Sequence, residues 1–377
     1  MKRVLWVISW LWLAGHGWAQ TDSPTATNAP PPPSAAEVAQ REFRYGQGFF
    51  QAGQFASAAE AFQRAALLQP DFADAHGQCG AALMQLAKGS TTAQQQLQYY
   101  QQATGRFARA AELRPKHKDY WQSWGDLLGL LGDMPLEPRL RLACYQGAAE
   151  KYQKVTELQP QEWEAYSQWG AVLAYKLPPF AGDDKAKYQL YQSAVELFGK
   201  SVERARFSSE LGPTYAHWGT ALARASRFTT DLEQRKKLLT ESVDKFGRSA
   251  RAQSGVASTY TLWGTALLEL GRLTRLRTDF RDAVSQLSAG SALEPNNPAT
   301  LYTLAVGYAL MGNTALVVQT LRQCFEVDTT RAFFAAAKKD PDFAGLQNEP
   351  AFQELFQQAD TRHGIPAYNP PLRDGPR

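Results

Sequence analysis

The sequence predicts an all-α fold: a solenoid of about seven antiparallel helix pairs, closed at its C-terminal end by a helical cap. Three observations carry this. A small residue preceded by a large one recurs along the chain, a small-xxx-large pair follows each occurrence, and Gly or Pro separates the segments. An array of this kind grows along one axis, so 377 residues need not divide into separate compact domains.

The first unit shows the pattern most plainly. Tyr45-Gly46, Phe49, Gly53, Ala58, Phe62, Ala65 and Pro70 follow helical spacing broken once, at Gly53. That predicts two amphipathic helices joined by a tight turn. Small side chains stand where two helices must approach, large ones fill the space beside them, and Pro70 ends the second helix. The small position returns as Gly80, Gly125, Gly170, Gly219, Gly264 and Ala305, at spacings of 34, 45, 45, 49, 45 and 41. Cys79, Trp124, Trp169, Trp218, Trp263 and Leu304 precede it. The second helices carry Ala103 with Phe107, Ala148 with Tyr152, Ala194 with Phe198 and Ser242 with Phe246; Ala283 with Leu287 and Val317 with Leu321 are aliphatic versions. Pro115, Pro160 and Pro295 close units as Pro70 does.

This order of aromatic, small and proline positions resembles the tetratricopeptide repeat family, over about residues 39 to 328. The resemblance implies a right-handed superhelix whose concave face, built from the first helices, binds a partner. Units two to six depart from the 34-residue form, three of them by 11 residues, or about three helical turns. Such an insert predicts longer second helices, as over Thr91 to Leu113 and Asp183 to Ala205.

The flanks differ in character. Lys2 and Arg3 precede an apolar stretch from Val4 to Ala14, and Gly17-Trp18-Ala19 places small residues at the −3 and −1 positions of a cleavage site. The stretch is shorter than the roughly 20 residues a spanning helix needs. Residues 1–19 are therefore expected to be a signal peptide cleaved after Ala19, leaving a periplasmic or secreted protein with no membrane span. The alternative is a membrane tether through an uncleaved N-terminal segment. Residues 20–34 hold Pro30-Pro31-Pro32-Pro33 and read as a disordered spacer. The array is expected over 35–328, capping helices over 329–359 and a Pro-rich tail over 360–377.

No catalytic constellation is recognisable. His76, His117 and His217 are isolated, His363 is in the tail, and no His-Glu-x-x-His, Gly-x-Ser-x-Gly or phosphate-cradling loop occurs. The expectation is a protein that is not an enzyme and takes no cofactor or metal. Asp183-Asp184 and Asp340-Pro341-Asp342 read as helix starts, where a carboxylate suits the helix dipole. A formal charge of +4 without basic runs interleaved with exposed aromatics argues against nucleic acid. Cys79, Cys144 and Cys324 are odd in number, so at least one thiol is unpaired, and all three read as small packing residues. Trp124, Trp169, Trp218 and Trp263 share one repeat position. They read as packing between the helices of their own unit, beside the space that Gly leaves, rather than as a stacking surface.

The resemblance places the candidate partner-binding positions on the first helices: Phe43, Gln47, Phe50, Gln122, Asp126, Tyr175, Arg224, Thr265, Glu269 and Tyr302, with small neighbours such as Ala171, Ala216 and Thr220. Some members of the family clamp a C-terminal carboxylate with Lys, Asn and Arg here. Phe43 and Gln47 stand in the corresponding first-unit positions, so no such clamp is expected. The expected function is a scaffold holding a protein or peptide in its groove, in an envelope or secretion-related assembly. The alternative is a glycan- or cell-wall-binding module using exposed aromatics. Self-association is open.

Overall fold

The computed structural model describes residues 33–361. The expected signal peptide, most of the spacer and most of the tail lie outside them. Among the described residues the regular structure is helical, with no strand. Seven helix pairs run in chain order. They are α1 (Ala35–Gln51) with α2 (Phe55–Leu68), α3 (Ala73–Lys88) with α4 (Ala93–Leu113), and α5 (Lys118–Asp133) with α6 (Pro138–Leu158). Then come α7 (Trp163–Ala171) with α8 (Asp184–Arg204), α9 (Gly212–Ala225) with α10 (Leu232–Ala252), α11 (Ala257–Thr274) with α12 (Arg277–Leu293), and α13 (Pro298–Leu310) with α14 (Thr314–Val327). The short α15 (Ala332–Ala337), a 3₁₀ turn over Pro341–Leu346 and α16 (Pro350–Thr361) follow.

The sequence dictates where these helices begin. Ser34 accepts from the Glu37 amide while Glu37 reaches back to the Ser34 amide, a reciprocal cap. Thr92, Asp183, Asp231, Asn297 and Asn313 cap α4, α8, α10, α13 and α14 through their side chains. Asp340 does the same for the 3₁₀ turn, so the acidic pairs do start helices as their positions suggested.

Within a pair the helices are antiparallel. A β-carbon on Gly125 would stand 2.9 Å from the Tyr152 ring, and one on Gly132 would stand 2.5 Å from Tyr145. Advancing along α5 is thus retreating along α6. The same opposition of small first-helix residue to large second-helix residue joins Gly46 to Phe62, Gly80 to Phe107, Gly170 to Phe198 and Gly219 to Phe246. Each second helix from α2 to α12 packs between the first helices on either side of it, and some neighbouring first helices, such as α3 with α5 and α11 with α13, also touch. The result is a tetratricopeptide-like array with the first helices along one face.

The enlargement of the middle units divides differently from the expectation. The second helices α4, α6, α8 and α10 have 21 residues against 14 in α2. Comparing the third unit with the first, seven of the 11 extra residues start α6, three extend α5 and one widens the turn. Seven residues fall within about 20° of two whole turns, so the apolar face of the second helix keeps its bearing.

The tryptophans are also placed differently. All four are partly buried. Trp218 lies 3.7 Å from a β-carbon built on Gly199 and Trp263 lies 3.4 Å from one on Gly247, each in the second helix of the preceding unit. On the other side Lys151 sits 4.5 Å over Trp124 and Lys245 sits 4.3 Å over Trp218, both from the unit's own second helix. The ring therefore bridges two units instead of filling one, because the first helix is wedged between two second helices. The Nε1 atoms of Trp124, Trp218 and Trp263 are buried without a hydrogen-bond partner.

The cysteines are free thiols. Cys79 and Cys324 are buried, and Cys324 donates to the Pro298 carbonyl at 3.3 Å. Burial, helped by the nearby Asp328 charge, pushes the Cys324 thiol up to about 12, which keeps it an unreactive packing group.

Candidate partner-binding groove

A hollow of about 790 Å³ runs across the first helices of units two to six. The first helices supply it with small residues at Gly129, Ala171 and Ala216, and with larger apolar ones at Met84, Leu130, Tyr175 and Leu262. Lys88, Asp126, Asp133 and Lys176 are its charged groups, and His217 its one imidazole. Leu262 is among the more exposed large apolar residues of the chain, with 39% of its surface open.

Rungs between successive first helices set the spacing of this face. Tyr120 of α5 lies against Gly77 of α3 and donates to Asp74. Gln122 of α5 donates to Gln168 of α7. Ser167 and Thr214 share a hydrogen bond of 2.9 Å, and Thr261 and Thr300 one of 2.8 Å. Thr214, Thr259 and Thr300 are all buried, and each stands five residues before its unit's small residue. The position three residues before the small residue, expected to face the partner, is therefore used in several units to reach the next first helix.

The middle of the groove departs from regular α-helix. After α7 the chain forms a π turn over Val172–Lys176, closed by the Leu177 amide on the Val172 carbonyl at 3.2 Å. Pro178 and Pro179 follow, and neither has an N–H. The Ala174 carbonyl would find its α partner at 178 and its π partner at 179, so both prolines orphan it. Arg224 of α9 supplies the missing donor: its Nη1 is 3.0 Å from that oxygen, and its guanidinium lies 4.7 Å over the Tyr175 ring. His217 meets the same ring edge-on at 5.2 Å. Burial lowers the His217 pKa, which keeps the imidazole neutral at pH 7. Lys176 pairs with Asp133 at 2.6 Å, and Asp133 also accepts from Tyr145 at 2.8 Å. Single-turn π segments are concentrated at functional positions. This one carries both Tyr175 and Lys176 into the hollow.

Asp126 is the most constrained charge. Burial raises its pKa, while hydrogen bonds from Tyr152 Oη at 2.7 Å and Gln122 Nε2 at 3.2 Å oppose the shift. A carboxyl whose folded pKa is raised destabilises the native state wherever it is ionised. The cost is absent below the ordinary value of 3.8, grows above it, and is complete once pH exceeds the folded pKa. Asp126→Asn, whose amide oxygen still accepts from Tyr152, is therefore expected to raise the unfolding midpoint at pH 7. The gain should shrink as pH falls through the folded pKa. Thermal denaturation from pH 7 to pH 4 checks this; a gain that grows toward acid would contradict it.

The other sequence-nominated positions fall as follows. Asp126 and Tyr175 line the hollow, Gln122 is tied to Asp126 beside it, and Arg224 supports Tyr175. Phe43 packs on Phe62 and Phe72, with ring centroids 5.4 and 4.8 Å away, and Phe50 packs on Phe55 at 5.3 Å. Gln47 is exposed on α1, outside the hollow. Thr265 donates to the Thr261 carbonyl at 2.8 Å. Glu269 pairs with Arg227 in a separate hollow. Tyr302 lies under the cap, donating to Asp340 at 2.5 Å and packing on Phe333 and Phe343. The apolar end of the expected groove is thus the seat of the capping segment. Lys88, Gly129, Asp133, Lys176, His217 and Leu262 were not nominated. Two signals could have found four of them, while Gly129 and Lys176 carry neither. Gln168, His217 and Leu262 all stand two residues before the small position, and Lys88 and Asp133 both stand eight after it.

No group of three or more His, Cys, Asp or Glu among the described residues is arranged to hold a metal. No helix among them is long and apolar enough to cross a membrane. No family model matches the sequence, and no curated protein does. Solved structures similar to this chain include YrrB, a tetratricopeptide protein described as having an unusual peptide-binding site: 19% identity, 62% of this chain and 97% of that one, TM-score 0.43. They also include PilW, described as a widely conserved type IV pilus biogenesis factor: 15% identity, 69% and 98% coverage, TM-score 0.46. Pseudomonas aeruginosa PilF is similar at 14% identity, over 71% of this chain and 96% of that one, with a TM-score of 0.45.

Proposed function

We propose that the chain is an extracytoplasmic scaffold that holds an apolar segment of a protein partner against its first helices. The observation that carries the reading is the hollow of about 790 Å³, in which Gly129, Ala171 and Ala216 leave room beside Met84, Leu130, Tyr175 and Leu262. A groove of small residues flanked by apolar side chains suits a helix or extended segment with apolar anchors. The N-terminal residues Lys2 to Ala19 support the extracytoplasmic setting, with cleavage after Ala19, and an envelope or secretion-related assembly as the place of work. Sugar stacking is disfavoured, because the repeated tryptophans have second helices on both sides and lysines over two of the rings. Catalysis is no part of this reading.

The test uses Gly129. A β-carbon there meets no atom within 4 Å, so Gly129→Leu starts from open space and adds volume to the hollow. A photo-crosslinking residue in place of Tyr175 is expected to capture a discrete protein adduct in intact cells. Adding Gly129→Leu should cut its yield at least tenfold at unchanged thermal stability. An adduct insensitive to Gly129→Leu, or none at all, would refute the groove.

A further inference from the structure

A second hollow, of about 670 Å³, lies where α9, α10, α11 and the capping segment meet. Arg227, Arg235, Arg272, Glu269 and Asp342 line it. Two of the arginines have structural work. Arg227 pairs with Glu269, tying the end of α9 to α11, and Arg272 pairs with Asp342 at 2.5 Å, tying α11 to the cap. Arg235 has none. It sits in the first turn of α10, where the helix dipole disfavours a cation. It makes no ion pair among the described residues, and its Nε is buried without a hydrogen-bond partner. Three guanidiniums against two carboxylates leave one positive charge. Glu269 Oε2 is buried and unpartnered as well, so an unmet donor and an unmet acceptor both belong to side chains that line the hollow.

A ligand with a carboxylate and a nearby N–H satisfies both groups, which favours an acidic residue of a polypeptide over a bare anion. The hollow also lies farther along the same two helices as the groove. Helix α9 presents Thr220 to the groove and leads to Arg227 here; α11 presents Leu262 to the groove and Glu269 here. Each step is seven residues, or about 10 Å of helix. An extended chain covers that in about three residues.

We propose that Arg227, Arg235 and Arg272 receive an acidic side chain of the segment held in the groove, about three residues from the apolar side chain beside Leu262. The assignment rests on the groove reading for its partner, but the anion site can be tested without one. The probes are N-acetyl-glutamate amide, N-acetyl-glutamine amide and inorganic phosphate, titrated into the full chain while the Arg235 Nε–H resonance is followed by NMR. The glutamate probe is expected to shift that resonance saturably. The glutamine probe should not, and Arg235→Gln should remove the resonance and the saturable response at the neighbouring arginines. No saturable shift would overturn the proposal, as would phosphate binding more tightly than the glutamate probe. In cells, Arg235→Gln is expected to lower the Tyr175-position adduct about tenfold. An adduct lost with Gly129→Leu but untouched by Arg235→Gln would sink the acidic contact and leave the groove standing. If no adduct forms at all, the groove reading fails, while the titration still decides the anion site.

Discussion

Gly264→Ala is expected to destabilise the array by about 3 kcal/mol, at the upper end of overpacking costs. An added β-carbon would stand 3.0 Å from the Ala283 carbonyl oxygen and closer still to Leu287 Cγ. Neither can yield cheaply: the first is main chain, and the second is the branch point of a side chain with no exposed surface. The intrinsic preference of a helix for Ala over Gly returns only ~1 kcal/mol. Gly48→Ala in α1 and Gly105→Ala in α4 are the controls, since a β-carbon at either meets nothing within 4 Å. They should be neutral or stabilising by up to ~1 kcal/mol. Urea denaturation of the three variants separates the effects, and hydrogen exchange should place the loss in α11 and α12. A Gly264→Ala protein as stable as the controls would mean that the helix crossing is looser than its geometry.

That contrast explains why the repeat was readable. A crossing that admits no β-carbon forces Gly, and the ring filling the far side forces an aromatic or leucine, so Gly264 with Leu287 or Gly125 with Tyr152 leaves a trace in the sequence. The long second helices were readable for the same reason, because their insert nearly preserves helical phase. The groove was legible in part. Asp126 and Tyr175 stand on the strip of first-helix positions that the repeat marks, and both line it. His217 and Leu262 stand one position over, on a face the strip does not include. Tyr175 reaches the hollow through a π turn whose only sequence cue is Pro178-Pro179. The burial of Tyr302 depends on Phe333, Asp340 and Phe343, which lie in the next structural unit. Periodicity within a helix carries no information about such contacts, and the ion pair of Arg272 with Asp342, 70 residues apart, is of the same kind.

Removal of residues 329–377 is expected to unravel the last unit while leaving the first ones folded. The two ends of the array are built differently. On α1 the outward residues are Gln40, Arg41, Arg44, Gln47 and Gln51, all exposed and polar, with Tyr45 the large apolar exception. At the other end Leu304, Ala305, Val317, Leu321 and Cys324 belong to or adjoin a cluster completed by Phe334, Phe343, Phe352, Leu355 and Phe356. Each of those four phenylalanines contributes about 2 kcal/mol through burial, so their loss exceeds what one helix pair can absorb. The truncated chain should bind an apolar dye, and amides of α13 and α14 should exchange at rates near those of an unfolded chain. Helices α3 to α6 make their contacts with neighbouring helices, and in a linear array that shelters them from a distant end. Phe356→Ala gives the graded version, with a cost of about 3–5 kcal/mol confined to the same end. Full protection of α13 and α14 after truncation would show that the last pair buries enough surface by itself. The burial of Tyr302 would then be incidental to stability, and its face would be free to serve as the far end of the groove.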